Sequence, residues 1–132
     1  MIYTLDTNVC IRIINGRSAS ARAKLLSIPT HDIIVCSVVR AELYYGAGKS
    51  QTPEATRQKQ NLFLSPFTSL PFDDLAANQY GQIRADLEQS GNVIGPLDLM
   101  IAAIAKSQGL ILVTHNTREF SRILGLQLED WE

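Results

Sequence analysis

Four acidic residues, Asp6, Glu42, Asp98 and Glu119, stand far apart in this chain. Each falls where an apolar, strand-like run passes into a helix, or in the first turns of that helix. In an open α/β sheet, ligands bind in the crevice outside the carboxyl ends of the strands. Four carboxylates placed this way are expected to converge on one small volume. Like charges repel at short range, so such a group calls for a cation to hold it together. An all-oxygen donor set suits Mg²⁺ or Mn²⁺ rather than zinc. The chemistry this predicts is metal-assisted hydrolysis of a phosphodiester. No Ser-His-Asp or Cys-His arrangement competes, since the chain has two histidines and neither has a convincing nucleophile nearby.

Each position also has a purely structural explanation. Asp6 could cap the helix that follows, but Thr7 or Asn8 could do the same and leave Asp6 free for ligation or catalysis. Glu42 shares a helical stripe with Val38 and Tyr45, where a charge is costly unless paired; a cation or a salt bridge to Arg40 would each satisfy it. Asp98, behind Gly95-Pro96-Leu97, is taken alone a first-turn acid that complements the helix dipole. Asn116 and Glu119 have the spacing of a capping box. His115 reads as an exposed turn residue, a ligand or a base.

The elements that must position these residues alternate in type. Ile2–Leu5 is a short buried strand ending at Asp6, and a helix follows to Gly16. A second helix spans Ser18–Ser27. Ile33–Cys36 has the apolar run expected of a central parallel strand, and Ser37 is expected to cap a helix reaching about Ala47. Gln51–Leu64 is helical with Pro53 in its first turn. Pro66 and Pro71 bracket an extended piece at Thr68–Leu70. Asp73–Gln89 is a long helix, Pro96 opens another, and Leu110–Thr114 is the clearest strand. A short helix over Phe120–Leu124 and an edge strand at Leu126–Leu128 complete the chain, with Trp131 packed on the sheet. The fold class is α/β, a three-layer α/β/α sandwich with a central, mainly parallel sheet, in a single domain over residues 1–132.

Bulk properties agree. The 132 residues, 45% hydrophobic and 19% charged, suit one globular domain and argue against disorder. No apolar run approaches the ~20 residues that span a bilayer, and the N-terminus lacks the shape of a signal peptide; a cytoplasmic location is expected, with no membrane partner. Cys10 and Cys36 fit no metal or redox spacing and read as small buried apolar residues. The net charge is −1, but basic residues crowd into the first half. Residues 7–31 carry Arg12, Arg17, Arg22 and Lys24 and no acid. These four are candidates for holding a phosphate backbone; a solvated basic helix face is the alternative.

The chain resembles the PIN-domain ribonucleases, and within them the VapC toxins of VapBC toxin–antitoxin pairs. Leu5-Asp6-Thr7-Asn8, Ala41-Glu42-Leu43 with Tyr45-Gly46, Gly95-Pro96-Leu97-Asp98 and Thr114-His115-Asn116-Thr117-Arg118-Glu119-Phe120 carry the resemblance, with the tail Leu128-Glu129-Asp130-Trp131. Any one of these is weak; together, in order and over the whole chain, they are specific. The resemblance implies a Mg²⁺- or Mn²⁺-dependent endoribonuclease with Asp6, Glu42 and Asp98 as metal ligands and Glu119 as a fourth catalytic acid. Thr7, Asn8 and Asn116 would support them by hydrogen bonds. The last motif often has an aspartate where Asn116 stands, which turns Asn116 toward orienting water or the fourth acid. Family members cut structured RNA, commonly tRNA in the anticodon loop and in similar toxins initiator tRNA. Attack by water would leave a 5′ phosphate and a 3′ hydroxyl. The resemblance further implies a VapB-like antitoxin partner and a homodimer. Ile13, Ile14, Tyr44, Tyr45, Leu62 and Phe63 are candidates for the antitoxin groove. Two other readings stand beside it: a Mg²⁺-dependent phosphatase or phospho-receiver, for which Asp6-Thr7-Asn8 has one acid too few, and a non-catalytic PIN-like module that binds RNA or protein.

Overall fold

The structure, a computed structural model, describes residues 1–132. Its elements in chain order are β1 (Tyr3–Leu5), α1 (Thr7–Ile14), α2 (Ala19–Leu26), a 3₁₀ turn (Thr30–Asp32), β2 (Ile33–Ile34), α3 (Ser37–Gly48), α4 (Pro53–Leu64), α5 (Asp74–Gln89), α6 (Pro96–Ser107), β3 (Ile111–Val113), α7 (Thr117–Phe120) and β4 (Gln127–Glu129). The strands form one sheet in the order β2-β1-β3-β4, every pair parallel. Consecutive residues of β1 and β3 are buried whichever face they point to: Thr4 and Leu5, then Ile111, Leu112 and Val113. Both faces of the sheet are therefore covered by helices, which is the condition for an all-parallel sheet.

The chain leaves β1 for β2 on one side and later returns to β3 on the other, so the strand order reverses between β1 and β3. A ligand crevice is expected at such a switch point, beyond the carboxyl ends of those two strands. Asp6 follows β1 there, and Thr114 to Asn116 follow β3.

Several local expectations need correction. β2 is not central: it flanks β1, and its outer side meets only the extended piece at Thr68–Leu70, through an Ile34–Thr68 bridge and bonds from the Val35 and Ser37 amides to the Thr68 and Leu70 carbonyls. Arg40 fastens this corner, donating to the Val35 carbonyl at 2.8 Å and the Phe67 carbonyl at 3.1 Å; it makes no salt bridge to Glu42. Ser37 is the first helical residue of α3, and Cys36 is its cap, with no side-chain bond. The last short helix begins earlier than expected, at Thr117, and ends at Phe120. The buried side of α3 runs through Val39, Leu43 and Ala47, while Tyr45 is 69% exposed. The stripe through Val38, Glu42 and Tyr45 thus starts in the core at Val38 and leaves it through half-buried Glu42. Trp131 is buried and meets Tyr3 edge-on at 5.4 Å, which seats the tail against β1.

Candidate active site

Asp6 is buried at the end of β1, and its backbone amide still belongs to the sheet, donating to the Val113 carbonyl at 3.0 Å. Its carboxylate does two jobs. Oδ1 accepts from the Thr7 amide at 2.6 Å, making Asp6 itself the cap of α1. Oδ2 accepts from the Thr114 hydroxyl at 2.8 Å, at the end of β3. The expectation that Thr7 or Asn8 would cap α1 is therefore wrong. Capping costs Asp6 little as a ligand, because each carboxylate oxygen keeps a second lone pair.

The other acids join this residue through short relays. The Thr7 hydroxyl donates to Glu42 Oε1 at 2.7 Å, reaching from α1 to α3. On the other side, the Thr114 hydroxyl accepts from the Asn116 amide at 3.0 Å, and the Asn116 carboxamide donates to Glu119 Oε2 at 2.8 Å. Asn116 is the cap residue of α7 by position but makes no side-chain cap bond; the capping-box spacing here orients an acid instead. One hydrogen-bonded string thus runs from Glu42 through Thr7, Asp6, Thr114 and Asn116 to Glu119.

Asp98, in the first turn of α6, has no such partner. Its carboxyl is pushed up to about 6, first by burial and then by repulsion from Asp6, Glu42 and Glu119. Asp6, Glu42 and Glu119 are thus near enough to act on Asp98, although the one group of three donors within 4.8 Å of one another is His115, Asp130 and Glu132 and includes none of the four. Burial also pushes the Asp6 carboxyl up, and Glu42 adds to this, while the bonds from Thr114 and Thr7 pull the other way. None of the four forms a salt bridge to a lysine, arginine or histidine. A group of oxygen donors without a protein cation, two of them, Asp6 and Asp98, raised toward protonation first by burial and then by neighbouring acids, fits a hard divalent ion. Asp6, Glu42 and Asp98 would hold it, with Glu119 beside them.

Beside this group opens a cleft of about 770 Å³, whose wall includes Asp6, Asn8, Arg12, His115, Asn116 and Glu132. Of the four acids Asp6 alone belongs to that wall. Asn8 is exposed at its edge.

Residues 3–125 match the PIN domain, nearly the whole chain. The chain belongs to the PIN-domain family. Among PIN-domain relatives it is 46% identical to the tRNA(fMet)-specific endonuclease VapC of Shigella flexneri, over 98% of this chain and 97% of that one. It is 41% identical to Ribonuclease VapC2 of Rickettsia felis, over 100% and 99%. Among solved structures it superposes with a TM-score of 0.94 and 40% identity, over 100% of both chains, on VapBC2 of Rickettsia felis bound to a DNA fragment from its promoter. DNA-bound VapBC of Salmonella typhimurium gives the same TM-score and identity, over 100% of this chain and 99% of that one.

Within this PIN domain the candidate backbone-binding residues divide. Arg12 lies on the cleft wall, where its guanidinium pairs with Glu132 and its Nη2 donates to the Arg17 carbonyl at 3.0 Å. Arg17, Arg22 and Lys24 are exposed but are not part of that wall. The proposed groove residues divide too. Ile13 is core, and Ile14, Tyr44 and Phe63 are half-buried, which leaves Tyr45 and Leu62 as the exposed members. Cys10 and Cys36 are free and buried, and burial pushes both thiols up, away from reactivity. Sequence reasoning missed Thr114 as the link between Asp6 and Asn116; its signal was a hydroxyl directly after an apolar strand.

Proposed function

We propose that this chain is a VapC toxin that cuts tRNA, initiator tRNA in particular, as a divalent-metal-dependent endoribonuclease in the cytoplasm. The observation that carries this reading is the string of acids at the β1/β3 switch point, uncompensated by any basic side chain. The Shigella flexneri relative's name supports the substrate, and the VapBC complexes among its structural neighbours support a VapB-like antitoxin as partner. A homodimer is part of the same proposal.

A bound Mg²⁺ or Mn²⁺ supplies Lewis acidity toward a phosphoryl oxygen and toward water. The protein's own residues do the rest. Thr7 and Thr114 fix the Asp6 and Glu42 carboxylates before any ligand arrives, so little reorganisation is needed. Asn116 does the same for Glu119. The Asp98 carboxyl, pushed up to about 6, keeps its proton to a higher pH than an ordinary carboxyl, so a cation bound near or below pH 6 would have to displace that proton. Arg12 stands at the cleft wall to meet the phosphate backbone. Water is the nucleophile and the ribose 2′-OH is not consumed, so the products carry a 5′ phosphate and a 3′ hydroxyl.

Purified protein incubated with initiator tRNA and Mg²⁺ should release fragments with 5′ phosphates, and EDTA should stop it. Fragments ending in a cyclic phosphate, or cutting that survives EDTA, would sink the reading. In cells, induced expression should arrest growth, and a neighbouring VapB-like gene should relieve it.

A further inference from the structure

The end of β4 lies beside the end of β3, with the Thr114 amide donating to the Glu129 carbonyl at 3.0 Å. This register sets Asp130 next to His115. The His115 Nδ1 lies 3.0 Å from Asp130 Oδ2 and 3.3 Å from Oδ1. Nε2 meets no protein partner, the ring is 67% exposed, and it belongs to the cleft wall that also holds Asp6 and Asn116. A carboxylate that accepts from Nδ1 fixes the ring's orientation and leaves Nε2 as the working atom. Arg12 in the same cleft is held likewise, by Glu132.

His115, Asp130 and Glu132 each bring a donor atom within 4.8 Å of the others, which raises the question of a second metal. The Arg12 guanidinium already pairs with Glu132, so one of the three has a protein cation of its own. The exposed donors left on this wall, His115 Nε2 and the remainder of the Arg12 guanidinium, suit an anion. RNA entering the cleft brings phosphates toward four carboxylates, and positive donors on the wall offset that repulsion.

We propose that His115, oriented by Asp130, is a contact for an RNA phosphate adjacent to the scissile one. Its Nε2–H donates to a non-bridging phosphate oxygen, and Asp130 is the positioning residue behind it. The contact rests on the nuclease reading for its substrate. The charged groups around the ring are Asp130 and Glu132 from the tail, Arg12 from α1 and Asp6 from the end of β1.

The test is binding of a fluorescein-labelled anticodon stem-loop of initiator tRNA to Asp98→Asn protein, which on the nuclease reading should hold RNA without turning it over. Adding His115→Gln should raise Kd about tenfold, the worth of one charge-assisted hydrogen bond. Asp130→Asn should weaken binding as well, and adding it to His115→Gln should cost nothing further, because Asp130 acts through the ring. A purely structural role for Asp130 would make the two losses add. His115 is exposed, so folding does not depend on it.

An unchanged Kd in His115→Gln, or losses that add in the double variant, overturns the contact. Cleavage of the same RNA by the unsubstituted protein separates the two claims. Cleavage without a His115 effect on binding sinks the contact alone; a His115 effect without cleavage sinks the nuclease reading alone. RNA that does not bind at all overturns both.

Discussion

Replacing Asp98 by asparagine should make the metal-free protein more stable, and only where the carboxyl would be charged. Raising a carboxyl from its ordinary 3.8 to about 6 corresponds to about 3 kcal/mol of destabilisation at neutral pH in a fully dry site. Asp98 is only partly buried, and screening by water reduces this to roughly 1.5 kcal/mol. Asparagine also gives up the favourable contact of a charge with the α6 dipole, about 0.5 kcal/mol. A net gain of about 1 kcal/mol remains, worth roughly 3–4 °C in Tm for a chain of this size.

The folded-state value lies above the unfolded one. The wild type's share of stability from the protonated carboxyl is therefore fully present below 3.8 and lost as pH rises through about 6. Thermal melts in EDTA should show Asp98→Asn ahead of wild type at about pH 7.5 and level with it near pH 4. Added Mg²⁺ should narrow or reverse the difference, since the cation binds the folded wild type and opposes unfolding. A variant no more stable than wild type in EDTA at neutral pH, or equally favoured at both pH values, would refute the raised Asp98 carboxyl and the burial among acids that causes it.

The relays around the site give further expectations. Thr7→Val removes the hydroxyl that holds Glu42 and should cost about 10- to 100-fold in apparent Mg²⁺ affinity while the fold persists, read as the metal dependence of cleavage; an unchanged dependence would make that bond incidental. Asn116→Ala frees Glu119 and should lower kcat/KM by about tenfold or more, checked by single-turnover cleavage. Asn116→Asp adds a fifth carboxylate and should push the pH dependence of metal binding upward. Arg12→Ala should reduce the slope of log Kd against log salt by about one unit. Arg22→Ala should reduce it less, because Arg22 is not on the cleft wall.

How much of this was legible in the sequence follows from which forces are local. β1, β3 and the long helix α5 announce themselves as apolar runs or helical spacing, and the acids stand out because they end or follow such runs. The extended piece at Thr68–Leu70 was legible from its bracketing prolines. Which residue caps α1 was not, because Asp6, Thr7 and Asn8 are all good caps by type; the choice was decided by Thr114 and the β1/β3 register, 108 residues away in sequence. Ser37 lost its capping place to Cys36 because the strand's extended backbone ends at Cys36. Glu42 looked equally suited to Arg40, but Arg40 is drawn toward the carbonyls of the 35 and 67 corner. The pairings of His115 with Asp130 and of Arg12 with Glu132 left no local trace, since each depends on where the tail seats against the sheet.

Calorimetric titration with Mn²⁺ tests the gathering of the acids most directly, because it needs neither substrate nor partner. One divalent-ion site dependent on Asp6, Glu42 and Asp98 together is expected, so that Asp6→Asn, Glu42→Gln and Asp98→Asn each abolish or strongly weaken binding, while His115→Gln and Asp130→Asn leave it intact. Mn²⁺ binding that survives the first three substitutions, or that disappears with the last two, would contradict the account.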